Sequence, residues 1–282
     1  MKSINMLSRF MIVAALFTLS VSTGCKKNKE SNDPADNYTQ AAGDAEEADF
    51  VGTDAENSAD VSMNGGGGSL RLSDDGAGEF LSACANVTKD TVNHTLTVDF
   101  GAANCLCKDG RYRRGSIHVA WTGGGYWTAG SVKTLTFNNY YVNDNHVEGT
   151  RTVTNNGLNN NNNMSWTITA VGMRITRPNG KFHEWNTTRN REIIAGANTF
   201  TIWDDVYSIT GVATGTNSNG ETCSITITSP IIRALGCHWI QQGTLDIVRS
   251  SKPELIVDFG NGTCDNQATV TRNGQTITIT LH

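Results

Sequence analysis

Apart from Cys25, six cysteines (Cys84, Cys105, Cys107, Cys223, Cys237 and Cys264) and six histidines could in principle ligate a metal, carry redox chemistry or attack a substrate. Their spacing points elsewhere. A zinc site needs cysteines two residues apart or histidines close by, and Cys105-Leu106-Cys107 offers neither. A redox-active pair needs Cys-x2-Cys at a helix start, which is missing. His118 falls on the polar side of an alternating run, His146 lies in an Asn/Asp-rich turn, and His183 and His238 neighbour aromatics. No two have metalloprotease spacing, so they read as packed or exposed rings. There is no Gly-x-Ser-x-Gly elbow. Glu184, between His183 and Trp185, and Asp204-Asp205 after Trp203 would make a glycosidase carboxylate pair only if the fold brought them together. Asp144-Asn145-His146 and Glu148 lack calcium-loop spacing. No catalytic residue, metal or cofactor is expected.

Two other clusters stand out. In Trp121-Thr122-Gly123-Gly124-Gly125-Tyr126-Trp127, aromatics flank a triple glycine. Trp121, Tyr126 and Trp127 are therefore candidates for stacking against a sugar face. Arg111, Arg113 and Arg114 form the one basic cluster and read as a solvated turn.

The elements that must position these residues are strands. Leu96, Val98 and Phe100 alternate with Thr97 and Asp99; Ile117, Val119 and Trp121 with His118 and Ala120; Ile277, Ile279 and Leu281 with threonines. Apolar–Thr alternation is the pattern of half-buried antiparallel strands. Asp109-Gly110, Asn156-Gly157, Asn179-Gly180, Asn219-Gly220 and Asn273-Gly274 supply turn signals between them. Only 79–83 could make a turn or two of helix. The expectation for 70–282 is an all-β domain of about ten to fourteen antiparallel strands, as a sandwich or a rolled or open barrel.

A strand–cysteine motif occurs twice. Asp99-Phe100-Gly101-Ala102-Ala103-Asn104-Cys105 matches Asp258-Phe259-Gly260-Asn261-Gly262-Thr263-Cys264, each with an upstream cysteine, Cys84 or Cys237. The duplication predicts disulfides Cys84–Cys105 and Cys237–Cys264, leaving Cys107 and Cys223 as a third pair or as buried thiols.

The N-terminus is an address. Lys2 and Arg9 accompany the apolar run 10–21, FMIVAALFTLSV, followed by Ser22-Thr23-Gly24-Cys25. This is the build of a lipoprotein signal peptide (1–24) with Cys25 as the lipidated residue, although the place usually held by Leu carries Ser22. Two acyl chains of the palmitate class give durable anchoring where one does not. Export also favours disulfides. Residues 25–69 then carry three lysines against ten acids and end in four glycines. Few are apolar, so the segment reads as a disordered acidic linker spanning roughly 35–40 Å. A formal charge of -5 and a pI near 5.7 argue against a nucleic-acid partner.

The lipobox, the acidic spacer, the repeated DFG-x3-Cys strands, Asp109-Gly110-Arg111 and the closing Gly262-Thr263-Cys264-Asp265-Asn266 resemble a group of uncharacterised secreted lipoproteins of the Bacteroidetes type. That resemblance implies a lipid-anchored β protein of the cell envelope, held to the outer membrane at its periplasmic face or at the cell surface. It brings no known activity. Asp90-Thr91-Val92 is similar to the short O-glycosylation motif of such bacteria, with Thr91 as acceptor. The function expected is a binding or structural module with a glycan or protein partner. The rivals are a carbohydrate hydrolase and a small membrane β-barrel. Mass spectrometry of the mature protein should show an N-terminal Cys25 carrying acyl mass, and Cys25→Ser should release the protein from membranes. A free Cys25 thiol in the membrane-bound protein would contradict the anchor.

Overall fold

In a computed structural model, residues 43–45, 47–48, 51–59, 62, 85–124, 128–199, 201, 203–250 and 252–281 are described. The signal peptide, Cys25, the segment 79–83, Cys84, Tyr126 and Trp127 lie outside them. The strands are β1 (Asn86–Asp90), β2 (Thr95–Asp99), β3 (Cys105–Leu106), β4 (Tyr112–Thr122), β5 (Val132–Val142), β6 (Asn145–Leu158), β7 (Met164–Thr176), β8 (Phe182–Ala195), β9 (Val206–Asn217), β10 (Thr222–Ala234), β11 (Gln242–Arg249), β12 (Lys252–Asn261), β13 (Gln267–Arg272) and β14 (Gln275–Thr280). They form one antiparallel sheet in almost unbroken chain order, with β3 beside β4.

The all-β expectation is met by a single open sheet rather than two stacked sheets. It is not closed into a barrel: β1 and β14 sit at opposite ends of the strand order. A membrane-spanning β structure requires closure, because an unpaired edge cannot be satisfied in lipid; the membrane-barrel alternative is therefore set aside. No helix among the described residues is long and apolar enough to cross a membrane.

Alternation sets which face is buried. Leu96 and Val98 of β2, Ile117 and Val119 of β4, and Leu255 and Val257 of β12 are all 1% exposed or less. Their neighbours Thr97, His118 and Ile256 point the other way. Long strands keep this face aligned only by bending, and bulges supply the bend. Register slips at Gly115 between β4 and β5 and at Gly149 between β6 and β7. Both glycines have positive φ, 78° and 118°. A Cβ on Gly115 would strike the Asn139 carbonyl, and one on Gly149 would come within 2.6 Å of the Gly172 carbonyl. Asn156-Gly157, expected as a turn, is instead a bulge inside β6, with Gly157 at φ 78°. The chain turns at 159–163, where the Asn159 carboxamide accepts from the Asn161 and Asn163 amides.

The reading of 25–69 as a disordered acidic linker does not hold at the positions of that segment that are described. The described positions 43–45, 47–48, 51–59 and 62 are helical and are named α1 here. Val51, Ala55 and Ala59 are 3% exposed or less and pack with Leu96, Ile117, Leu135 and Met173; Ala45 joins a second cluster with Ile247 and Leu255. The physical reason is charge placement. The domain is neutral overall, but its buried face holds Arg113, Lys133, Arg151 and Arg191, each no more than 7% exposed. The helix supplies the opposite sign. Glu56, fully buried, accepts from Arg151 (3.0 Å) and Arg191 (2.5 Å), and Asp54 accepts from Arg113 (2.5 Å). Arg113 is thus a core cation, with Asp109 as a second partner at 2.7 Å, and not part of a solvated turn. Gly52 leaves the space that the Arg151 guanidinium occupies, since a Cβ there would lie 2.5 Å from it.

The Asp-Phe-Gly part of the repeated motif is built alike in both places, while the cysteine ends differ, Cys105 lying buried in β3 and Cys264 exposed outside any strand. Phe100 and Phe259 are each 2% exposed, and the Asp99 and Asp258 carboxylates each accept from the glycine amide two residues on, at 2.8 Å. Cys237 and Cys264 are disulfide-bonded across a separation of 27 residues, a loop whose closure is worth about 3–4 kcal/mol in the chain-entropy account. Cys105 is also disulfide-bonded, to a partner outside the described residues. Cys107 and Cys223 are free, so the third pair does not form.

Removing the Glu56 charge strands two arginines in the core, and breaking a buried pair costs about 3–5 kcal/mol. Glu56→Gln should lower stability by that order in denaturant titration. The opposing arginines and Lys133 overcome burial and hold the Glu56 carboxyl down at about 2 against an ordinary 4.5. The contribution is therefore complete above pH 4.5 and lost as pH falls toward 2. Acid unfolding of the wild type should be steep across that window and flatter in Glu56→Gln; equal slopes would contradict the assignment.

Candidate functional site

Strands β8 to β11 lay four short rows on the buried face opposite the start of α1. β8 contributes His183, Trp185 and Arg189; β9 contributes Ala213 and Gly215; β10 contributes Cys223 and Ile225; β11 contributes Ile247 and Arg249. From α1 come Asp44, Ala45 and Ala48. Small residues on both walls, Ala45 and Ala48 against Ala213 and Gly215, leave a hollow where bulkier ones would fill it. Its empty volume is about 680 Å³ including the mouth, within the range of ligand pockets, and its lining is mainly apolar.

Charged groups ring this apolar hollow. Arg249 is 7% exposed, donates to the Pro253 carbonyl at 3.0 Å, and leaves its Nε without a partner. Among the described residues no carboxylate forms an ion pair with it; Glu221, whose charge acts on it, is held by Lys252 at 3.0 Å. Burial pulls the Arg249 guanidinium below its usual range. All three described cavities of this region share Arg249. His183 stacks on Trp185 with ring centres 5.2 Å apart. Burial, with Arg177 adding to it against Asp44, depresses His183 to about 4, so the ring is neutral at pH 7. Arg177 bridges Asp44 (2.7 Å) and Glu47 (2.5 Å) at the rim. On the outer face, Asn186, Thr214, Thr216, Thr222, Ser224 and Ser250 line a shallow polar dish of about 810 Å³, largely open.

The residues singled out from sequence fall elsewhere. Trp121 is half-buried, packs against the β2–β8 core cluster and faces His94 at 5.6 Å. The rest of that aromatic cluster, Tyr126 and Trp127, is outside the described residues. Thr91 is exposed in the β1–β2 turn. His118 is hydrogen-bonded to Thr97 at 2.9 Å, and His146 stacks on Tyr141. The imagined carboxylate pair does not assemble: Glu184 opens β8, whereas Asp204 and Asp205 lie beside its other end, roughly 30–35 Å away. Asp205 is buried against the Tyr207 hydroxyl at 3.1 Å. Sequence reading found His183, Glu184 and Cys223 but not the cleft, which needs Arg249, Trp185 and the helix together. The legible signal was a cation at an inward-facing strand position.

No family model, curated protein or solved structure matches the chain.

The two free thiols should react differently. Cys107 is 3% exposed, whereas Cys223 opens on the cleft with its thiol raised by burial first and by Asp44 and Glu221 next. Iodoacetamide on the native protein should label Cys223 slowly and only at alkaline pH, and Cys107 only after unfolding. Peptide mapping that found the two joined would contradict the structure.

Proposed function

We propose that this protein is a lipid-anchored cell-envelope binding module, tethered to the membrane through Cys25, whose ligand seat is the cleft between α1 and β8–β11. The signal-like N-terminus and the disulfides support export, since such bonds persist in oxidising compartments. The observation that carries the reading is Arg249. A buried guanidinium without an ion-pair partner among the described residues, at the meeting point of three cavities and beside an apolar wall, is built to receive an anion. The ligand class that fits is a small organic acid: its carboxylate lies on Arg249 and its apolar body against Trp185, Ile225 and Ile247. His183, uncharged at neutral pH, adds no competing positive charge.

A glycan reading draws on one specific feature, the hydroxyl-rich dish on the outer face of the same strands. Titration calorimetry with 3-phenylpropanoate and its uncharged amide separates the two. The carboxylate should bind and the amide should not, and Arg249→Met should weaken binding about tenfold or more, as expected for loss of a charged hydrogen bond. Equal binding of acid and amide would overturn the anion seat. Binding of a sugar that survives Arg249→Met would place the ligand in the dish.

A further inference from the structure

One ring in the cleft is unexplained by packing. His183 is 7% exposed, yet neither of its nitrogens has a hydrogen-bond partner. Buried polar groups in folded proteins are nearly always satisfied, so this imidazole calls for a partner that the described residues do not provide. Its Nδ1 stands 3.9 Å from the Asp44 carboxylate, too far for a hydrogen bond. Asp44 and Glu47 are three residues apart on α1, a spacing that places both on one side of a helix. One ligand atom from each of Asp44, Glu47 and His183 lies within 4.8 Å of the others.

We propose that Asp44, Glu47 and His183 form a site for one divalent transition-metal ion of the zinc class, with an open coordination position toward the cleft. The donor set is one imidazole nitrogen and two carboxylate oxygens, which suits zinc and its neighbours and is poor for calcium, an ion that takes oxygen alone. The metal-free site is not bare: Arg177 donates to both carboxylates and balances their charge. That side chain is 24% exposed and lies at the cleft rim, so it has room to swing outward as an ion enters. Arg177 and the metal thus compete for the same two carboxylates. Because the ligands come from α1 and β8, an ion would also bind the helix to the sheet and stabilise the fold by mass action. This inference stands apart from the organic-acid seat and needs no carboxylate ligand.

The test uses the full chain in detergent, stripped of metal and dialysed against zinc sulfate without organic acid. The wild type should retain about one zinc per chain more than His183→Gln, unchanged by excess calcium chloride, and should melt at a higher temperature with zinc. Arg177→Gln should bind zinc about tenfold more tightly than the wild type, since a competing positive charge has gone. A purely structural role for Arg177 gives lower stability in that variant and no gain in zinc affinity. The gain also keeps the test decisive if His183→Gln does not fold. Wild type holding no more zinc than His183→Gln, or Arg177→Gln binding no more tightly than wild type, overturns the site.

Discussion

The architecture depends on a single carboxylate that never meets water. Glu56 sits between Arg151 of β6 and Arg191 of β8, while Asp54, two residues earlier, takes Arg113 of β4. Charges of both signs leave solvent only if they leave together, because a lone buried ion is far costlier than a matched pair. Helix and sheet therefore stand or fall as one unit. Two helical residues separated by one position point about 200° apart around the axis. Carboxylates aimed to opposite sides of a helix can both be matched only by a sheet that wraps it. The curl of the sheet and the placement of the helix are thus one constraint seen from two sides.

That constraint also makes the cleft. Over 51–59 the helix is gripped by arginines and by Leu96, Ile117, Leu135 and Met173, and little space is left. Toward its start it faces β8 to β11 through alanines, across a wall thinned by Ala213 and Gly215. Burial here is enough to hold His183 neutral, and the grip is loose enough to leave a hollow. Arg249 continues the buried cations of the sheet, but among the described residues no carboxylate forms an ion pair with it. It differs in this from Arg113, Arg151 and Arg191, and that difference marks the region as a place for a ligand.

Much of the sheet was legible in the sequence. Strict alternation in β2 and β4 gave the faces, and the twice-used Asp-Phe-Gly-x3-Cys gave the Cys237–Cys264 bridge. Asn156-Gly157 misled because positive φ serves a bulge as well as a hairpin turn. The helix was missed for a clearer reason. Its buried positions, Ala45, Val51, Gly52, Ala55, Ser58, Ala59 and Ser62, recur at helical spacing but are small, so they add little apolar signal beside so many acids. The acids looked like a solvated run because their partners, Arg113, Arg151 and Arg191, lie on three separate strands. The cleft was illegible for the same reason: Asp44, His183 and Arg249 meet only after the sheet has curled.

Amide hydrogen exchange of α1 in the full chain at neutral pH puts the central claim to the most direct trial. An ion-paired helix enclosed by the sheet should show protection over 51–59 comparable with that of β6 and β8, lost in concert with theirs as denaturant is added. Amides at 51–59 exchanging at the rate of an unstructured peptide while β6 and β8 stay protected would contradict it.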